Sequence, residues 1–246
     1  IHEWLEDYGE DSDFFRVRVR GLPPSASALQ YIDSHRIHAA QRRMVHPLDD
    51  EPLIVGVDVS GGGAAWTVAR FRCGQDARSI PPMRLTGQES RDRNVVIAKL
   101  ADLLQQVYDG KKVAAMFIDS AFGSPIVERL RTLGFKHVYE VNFGATSPDH
   151  HEANQRAYQW RKMKEWLVTA GIPLKDNRLA HDLGVPGFHL NKRDQLVMES
   201  KDSIVGRGEA SPDDGDALSL TFAQPVKSSA THGRVLWMPA SAHWAG

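Results

Sequence analysis

Two short runs constrain this chain more than anything else in it: "PLIVGVDVS", Pro52 to Ser60, and "VAAMFIDS", Val113 to Ser120. Each is a nearly continuous stretch of apolar residues, the pattern of a strand buried on both faces. Each also delivers an aspartate, Asp58 and Asp119, at its C-terminal end. A buried ionised carboxylate is costly unless it is paired, hydrogen-bonded or bound to a cation, and open α/β sheets place ligand sites at the carboxyl ends of their strands. Alternation puts Ile54, Gly56 and Asp58 on one face and Val55 and Val57 on the other. Taken singly, Asp58 reads equally well as a cap beside a glycine turn, and Asp119 as the start of the turn "DSAFGSP". Two such residues on separate core strands point to a shared purpose.

The surrounding pattern supplies a sheet for those strands. After Asp58 come Gly61, Gly62 and Gly63, then "AAWTVARFR", so a hairpin is expected. A third strand near Pro82–Gly87 is confined to an edge by Pro81 and Pro82. Val96, Leu100, Leu103, Leu104 and Val107 recur at helical spacing between Arg91 and Tyr108, and Gly110 ends that helix. "SPIVERLRTLG" reads as a helix with Ser124 as N-cap, Pro125 in the first turn and Gly134 as its stop. "HVYEVNF" adds a strand, Asn154 to Ala170 a helix, and "FHLN" and "QLVMES" two short strands. Upstream, a strand at Phe14–Gly21 and a helix at Ser27–Ile37 are expected. From about Lys227 the chain lacks periodicity.

A third acidic feature is "SPDDGDALSLTF", Ser211 to Phe222, three aspartates at the start of what reads as an amphipathic helix. Ser211 fits an N-cap, Pro212 the first position, and Asp214 the reciprocal partner of a capping box. That does not explain Asp216, which shares a face with Asp213 three residues earlier. On this reading, losing Asp214 costs a cap, whereas neutralising Asp216 relieves repulsion. Asp58, Asp119 and Asp213 or Asp216 then form one acidic cluster. Cys73 is the only cysteine, so a metal would be held by oxygen or imidazole, and hard carboxylates suit Mg²⁺ or Mn²⁺. Two such ions about 4 Å apart would activate a water and stabilise the leaving oxygen of a phosphodiester.

These residues carry a resemblance. An acid on the first strand, another at the end of the fourth and a third at the start of the last helix, in a β-β-β-α-β-α-β-α order, resembles the ribonuclease-H-like superfamily. "GVDVSGGG", "FIDSAFG", "ESKD" and "SPDDGDAL" look like the C-terminal nuclease domain of the large terminase subunit of tailed bacteriophages. The resemblance implies an α/β fold with three antiparallel strands followed by parallel ones, and a metal-dependent endonuclease that cuts concatemeric viral DNA during packaging in the cytoplasm of an infected bacterium. It implies double-stranded DNA, the terminase small subunit and the portal protein as partners. Residues 1–47 are expected to be a linker after a missing ATPase domain, 48–225 the nuclease and 226–246 a tail. "SGGGAA" and "DGKK" both fall short of a phosphate loop, so the chain is expected to cut but not to translocate. Lys201, in "ESKD", is carried over as a residue that contacts phosphate or stabilises the transition state, and Glu199 reads as an outer acid or a solvent-facing residue.

Other residues are weaker signals. Arg156, Arg161, Lys162, Lys192, Arg193, Lys201 and Arg207 are candidate DNA contacts, each read singly as well by a solvated surface. A net charge of −1 neither demands nor forbids nucleic acid, since basic groups can cluster on one face. His150 and His151 are adjacent and are not expected to converge on a metal. Trp160 and Trp166 are candidates for base stacking or for core. The hydrophobic fraction of 41% and charged fraction of 25% are those of a globular protein; no apolar run long enough to span a membrane occurs, and an intracellular protein is expected. A Holliday-junction-resolvase-like enzyme and a non-catalytic DNA or portal docking module remain as alternatives.

Overall fold

A computed structural model describes residues 30–227. The strand expected at Phe14–Gly21, the start of the helix expected from Ser27 and the tail beyond residue 227 lie outside the described residues. The two aspartate-bearing runs form the middle of a six-stranded sheet: β1 (Leu53–Asp58) pairs in parallel with β5 (Lys111–Asp119), with Val55 opposite Met116 and Val57 opposite Ile118. β2 (Thr67–Cys73) returns antiparallel to β1, and β3 (Met83–Leu85) is the antiparallel edge beyond it. On β5, the first residues pair with the short β4 (Val107–Tyr108) and the last four with the parallel β6 (Val138–Val141), where Asp119 faces Val141. The expected α/β architecture is therefore present. Adjacent parallel strands bring Asp58 and Asp119 out at the same end of the sheet.

Both faces of the sheet are covered, as continuous apolar strands require. On one, Leu53, Val55, Val57, Phe71, Met116 and Ile118 pack with Val96, Leu100 and Leu104 of α2 (Arg93–Gln105) and with Ile126 and Leu130 of α3 (Ser120–Thr132). On the other, Ile54, Ala115 and Phe117 meet Leu220 of the final helix, α7 (Asp213–Leu220). Gly56 permits that approach: a Cβ there would lie 2.0 Å from the Ala217 carbonyl oxygen and 2.9 Å from Leu220 Cβ.

Beyond α7 lies a second core. Ile37 and Ala40 of α1 (Ser34–Arg42), Trp160 and Met163 of α4 (Gln155–Trp166), Leu179 and Leu183 of α5 (Asn177–Gly184) and Leu218 of α7 are all buried in it. Tyr31 and Ile32, within the segment expected as linker, belong to it too. Since α7 lies between sheet and second core, every one of its residues is buried. It is not the amphipathic helix the pattern predicts, and its early aspartates are interior groups that require partners.

Several local expectations change. The N-cap of α3 is Asp119, accepting from Ala121 N–H, so the helix begins four residues before Ser124 and Pro125 lies inside it. The short strands β7 (Phe188–Leu190) and β8 (Leu196–Met198) form a separate hairpin. A short helix, α6 (Lys201–Gly206), starts at Ser200, whose hydroxyl accepts from Ser203 N–H. Neither α5 nor α6 was expected, although Asp176, Leu179, Leu183 and Gly184 supply a cap, an apolar pair one turn apart and a stop. Among the described residues, no helix is long and apolar enough to cross a membrane.

Candidate active site

The carboxyl ends of β1 and β5, the start of α7 and the start of α6 meet around a cavity of about 590 Å³ lined by Asp58, Asp119, Asp213 and Lys201. Asp58 points there because it shares the Ile54–Gly56 face of β1, the face that α7 covers. Asp119 is steered by its capping bond at the start of α3. Asp213 is fixed from two sides: Trp66 N–H donates to Oδ2 at 2.7 Å and the Ser211 hydroxyl to Oδ1 at 2.5 Å. Ser211 thus orients an acid and does not cap the helix, whose N-cap is Pro212 without a side-chain bond.

Lys201 stands among these acids. Its Nζ lies 2.6 Å from Asp58 Oδ2, 3.3 Å from Asp216 Oδ2 and 3.5 Å from Asp213 Oδ1. Burial alone would lower the ammonium pKa, but the three carboxylates more than offset that and hold it well above the usual lysine value. Asp58 moves the other way, up to about 8, because burial and the charges of Asp216 and Asp213 outweigh the attraction of Lys201. Asp119 is also raised, by burial, with the Ala121 N–H bond opposing. Asp216 is completely buried beneath the cavity, where Arg156 Nε at 2.9 Å and Trp160 Nε1 at 2.8 Å donate to its Oδ1. Arg156 and Lys201 overcome the burial penalty and keep its carboxyl below the ordinary value.

The helical repeat explains how three neighbouring acids take different roles. Asp213 and Asp216 lie about 60° apart around the axis and both reach Lys201, as their spacing predicts. Asp214 faces away. It is not the cap expected of it: its carboxylate accepts from Arg70 and Arg84, lies 3.2 Å from Arg178 Nε, and its N–H donates to Asp182. Asp176 completes the network, 2.5 Å from Arg70 and 2.8 Å from Arg84. Sequence reasoning missed these arginines, yet for Arg70 the signal existed: it lies within an apolar strand, on the face that carries Asp58.

The expected basic surface is only partly present. Arg156 is a correction: it is a buried part of the cavity lining, tied to Asp216 and donating to the Glu199 carbonyl, so it braces the site and is not a solvated surface residue. Arg161 is engaged by Glu152, Asp149 and Glu165, Lys162 by Glu165, and Arg207 by Glu199 and Glu209. Lys192 and Arg193 are exposed on the β7–β8 turn. Glu199 is half-buried, accepting from Gly187 N–H, Ser203 and Arg207. Trp160 and Trp166 are both core residues. His150 and His151 do converge, contrary to expectation: their ligand atoms and that of Asp149 lie within 4.8 Å of one another, and among the described residues no other trio of acids, histidines or cysteines does so. That trio sits in the loop before α4, and none of its members lines the aspartate cavity.

The donor set at the cavity fits a divalent cation. Four acids stand beside only two basic side chains, Lys201 and Arg156; the raised Asp58 and Asp119 carboxyls reflect that crowding and burial, a cation would favour their ionised forms, and every ligand is a hard oxygen. The oxygens are spread around the ammonium and do not gather on one point, so binding would require the Lys201 side chain to yield space.

Comparison with known proteins agrees with this geometry. No protein-family model and no curated protein matches the chain. Solved structures do. The nuclease domain of the large terminase subunit gp2 of bacterial virus Sf6 superposes with a TM-score of 0.56 at 12% identity, over 79% of this chain and 99% of that one. The fold here is that of a large-terminase nuclease domain. A lysine-to-alanine mutant of the Sf6 domain with manganese gives 0.58 at 14% identity, over 79% of this chain and 99% of its own. The large terminase nuclease of thermophilic phage G20c with bound magnesium gives 0.51 at 13% identity, over 81% and 99%. The antiparallel strands joined to parallel ones that the sequence resemblance implies are thus present.

Proposed function

We propose that the chain is a Mg²⁺- or Mn²⁺-dependent DNA endonuclease that cuts concatemeric viral DNA during genome packaging. The observation that carries this reading is the meeting of Asp58, Asp119 and Asp213 with Lys201 at one cavity, at the strand ends of a terminase nuclease fold. Asp58, Asp119 and Asp213 would hold the metal, one or two ions, with Asp216 beneath them as a further candidate. Bound there, the metal supplies charge stabilisation for the phosphodiester and a more acidic water.

The protein's own groups do the rest. Trp66 N–H and Ser211 hold the Asp213 carboxylate in one rotamer, and the Asp119 cap does the same on the opposite wall. Arg156 and Trp160 keep Asp216 ionised and still. Lys201, 36% exposed at its side chain, is placed to follow negative charge from the carboxylates to a scissile phosphate. Lys192 and Arg193 on the hairpin turn are the exposed candidates for contact with the DNA backbone. Terminase small subunit, portal protein and the host cytoplasm belong to this proposal through the resemblance.

The test is incubation of supercoiled plasmid with wild type and Asp58→Asn in EDTA, Mg²⁺ or Mn²⁺. Nicking or linearisation is expected with either metal, none in EDTA, and none from Asp58→Asn while DNA binding persists. Full cutting in EDTA, or by Asp58→Asn, overturns the reading. Retained binding with no cutting by wild type under any metal favours a docking module.

A further inference from the structure

Phe122 has no role in either core. It lies on the first turn of α3, three residues after Asp119, and is 52% exposed at the lining of the aspartate cavity. Burying such a ring is favourable, so one left half in water beside a charged site invites a functional explanation. Its seat is specific. The ring lies against the backbone of Gly61, where a Cβ would fall 2.4 Å from Cζ and 2.7 Å from Cε1. Any other residue at 61 would displace the ring, so the first glycine of the triple-glycine turn fixes the aromatic side chain at the cavity. Apolar neighbours continue the wall: Val59, Ala65, Phe143 and Met198 line the same space.

A backbone phosphate does not seek an apolar wall, and paired bases within a duplex have no free face to offer it. A nucleobase out of its stack does, because every base has a π-face that an aromatic ring can receive. We propose that Phe122, seated on Gly61, stacks on an unpaired nucleobase next to the phosphate held at the aspartates, so that the substrate is DNA locally opened at the cut. This rests on the nuclease reading above and adds the conformational state of its substrate. Opening a base costs a few kcal/mol and least at mismatches, frayed ends and single strands. Selectivity for such DNA follows.

The experiment measures binding in EDTA, where no cutting occurs, using short oligonucleotides carrying 2-aminopurine at one position: single-stranded, duplex with a central mismatch, and fully paired. Wild type is expected to quench 2-aminopurine in the first two. Phe122→Leu keeps an apolar side chain without a π-face, and should raise Kd for single-stranded and mismatched DNA by about 5- to 100-fold, the range for losing one stacked base. Binding of paired duplex should change far less, and Phe122→Trp should restore both affinity and quenching. Thermal midpoints of both variants check that they fold. Equal quenching by wild type and Phe122→Leu, or an equal loss on all three DNAs, overturns the proposal, as does self-association lost in Phe122→Leu with DNA binding unchanged. The two readings fail separately: absent metal-dependent cleavage with intact quenching removes the nuclease alone, and normal cleavage with no stacking signature removes the role of Phe122 alone.

Discussion

Asp214→Asn is expected to be among the most destabilising substitutions in the chain. Asp214 is fully buried, and its two oxygens accept from Nε and Nη2 of Arg70 and of Arg84, with Arg178 Nε at 3.2 Å. The substitution keeps the shape but removes the charge, leaving Arg70 and Arg84 to share Asp176 and taking the carboxylate from Arg178. Breaking a buried pair by removing one partner costs about 3–5 kcal/mol, which for a domain of this size lowers the thermal midpoint by about 6–20 °C. A lost helix cap would cost only about 0.5–2 kcal/mol, so the measurement separates the two roles. Equilibrium unfolding in urea, with thermal melts alongside, reads the difference. Adding Arg70→Met to Asp214→Asn should cost much less than Arg70→Met does alone, because the two residues act as one unit. A loss below about 1 kcal/mol for Asp214→Asn, the scale of an exposed ion pair, would refute the buried-network argument.

Asp216→Asn, which the sequence alone suggests would relieve repulsion, should instead destabilise by about 2 kcal/mol or more in urea: Oδ1 still accepts from Arg156 and Trp160, but the charge is lost and an NH2 donor replaces the Oδ2 that faces Arg156 Nη2 at 3.2 Å and Lys201 Nζ at 3.3 Å. Gly56→Ala should cost several kcal/mol and reduce nicking, because its Cβ would force α7 off β1 and carry Asp213 away from Asp58; unchanged stability and activity would count against that packing. Calorimetric titration with Mn²⁺ should show tight binding lost in Asp58→Asn and kept in His150→Ala; the opposite pattern would move the metal to the Asp149–His151 loop. For Asp176, burial raises the pKa but Arg70 and Arg84 more than offset it and hold it low. The stability it contributes is complete above the unfolded value of about 4 and is lost as pH falls through the depressed folded value, so Asp176→Asn should flatten the acid limb of the stability–pH curve.

What was legible and what was not divides along one physical line. The strands carrying Asp58 and Asp119, the hairpin and the long helices announce themselves because burial on a regular element leaves a period in the sequence. Asp213 and Asp216 sharing a helical face follows from geometry alone, and both do reach Lys201. Partnerships between distant residues leave no such trace. Nothing near Asp214 indicates that Arg70, 144 positions earlier, will fill its lone pairs, so local capping chemistry offered itself as the explanation. Arg156 misled for the same reason: on a helix dense in Arg, Lys and Gln it reads as surface until Asp216 is placed beneath it.

The acidic helix shows why these distant partnerships matter for chemistry. Three aspartates at one helix start would repel one another and fray the first turn if each faced water or a single ion. Here the fold separates them by direction. Asp214 is neutralised on the β2–β3 side by arginines that belong to the sheet, which anchors the helix start without drawing on the cavity. Asp216 is neutralised from α4. Asp213 has hydrogen-bond donors, Trp66 N–H and the Ser211 hydroxyl, and a more distant share of Lys201. Of the three, it is the acid that lines the cavity. It is therefore the member best able to exchange its present neighbour for a metal without leaving a buried arginine unpaired. Replacing Asp213 with Asn should then abolish metal-dependent nicking while costing less stability than either neighbour. If Asp213→Asn cuts normally and Asp216→Asn, folded at low temperature, does not, the ligand is the deeper residue and Arg156 must move to release it.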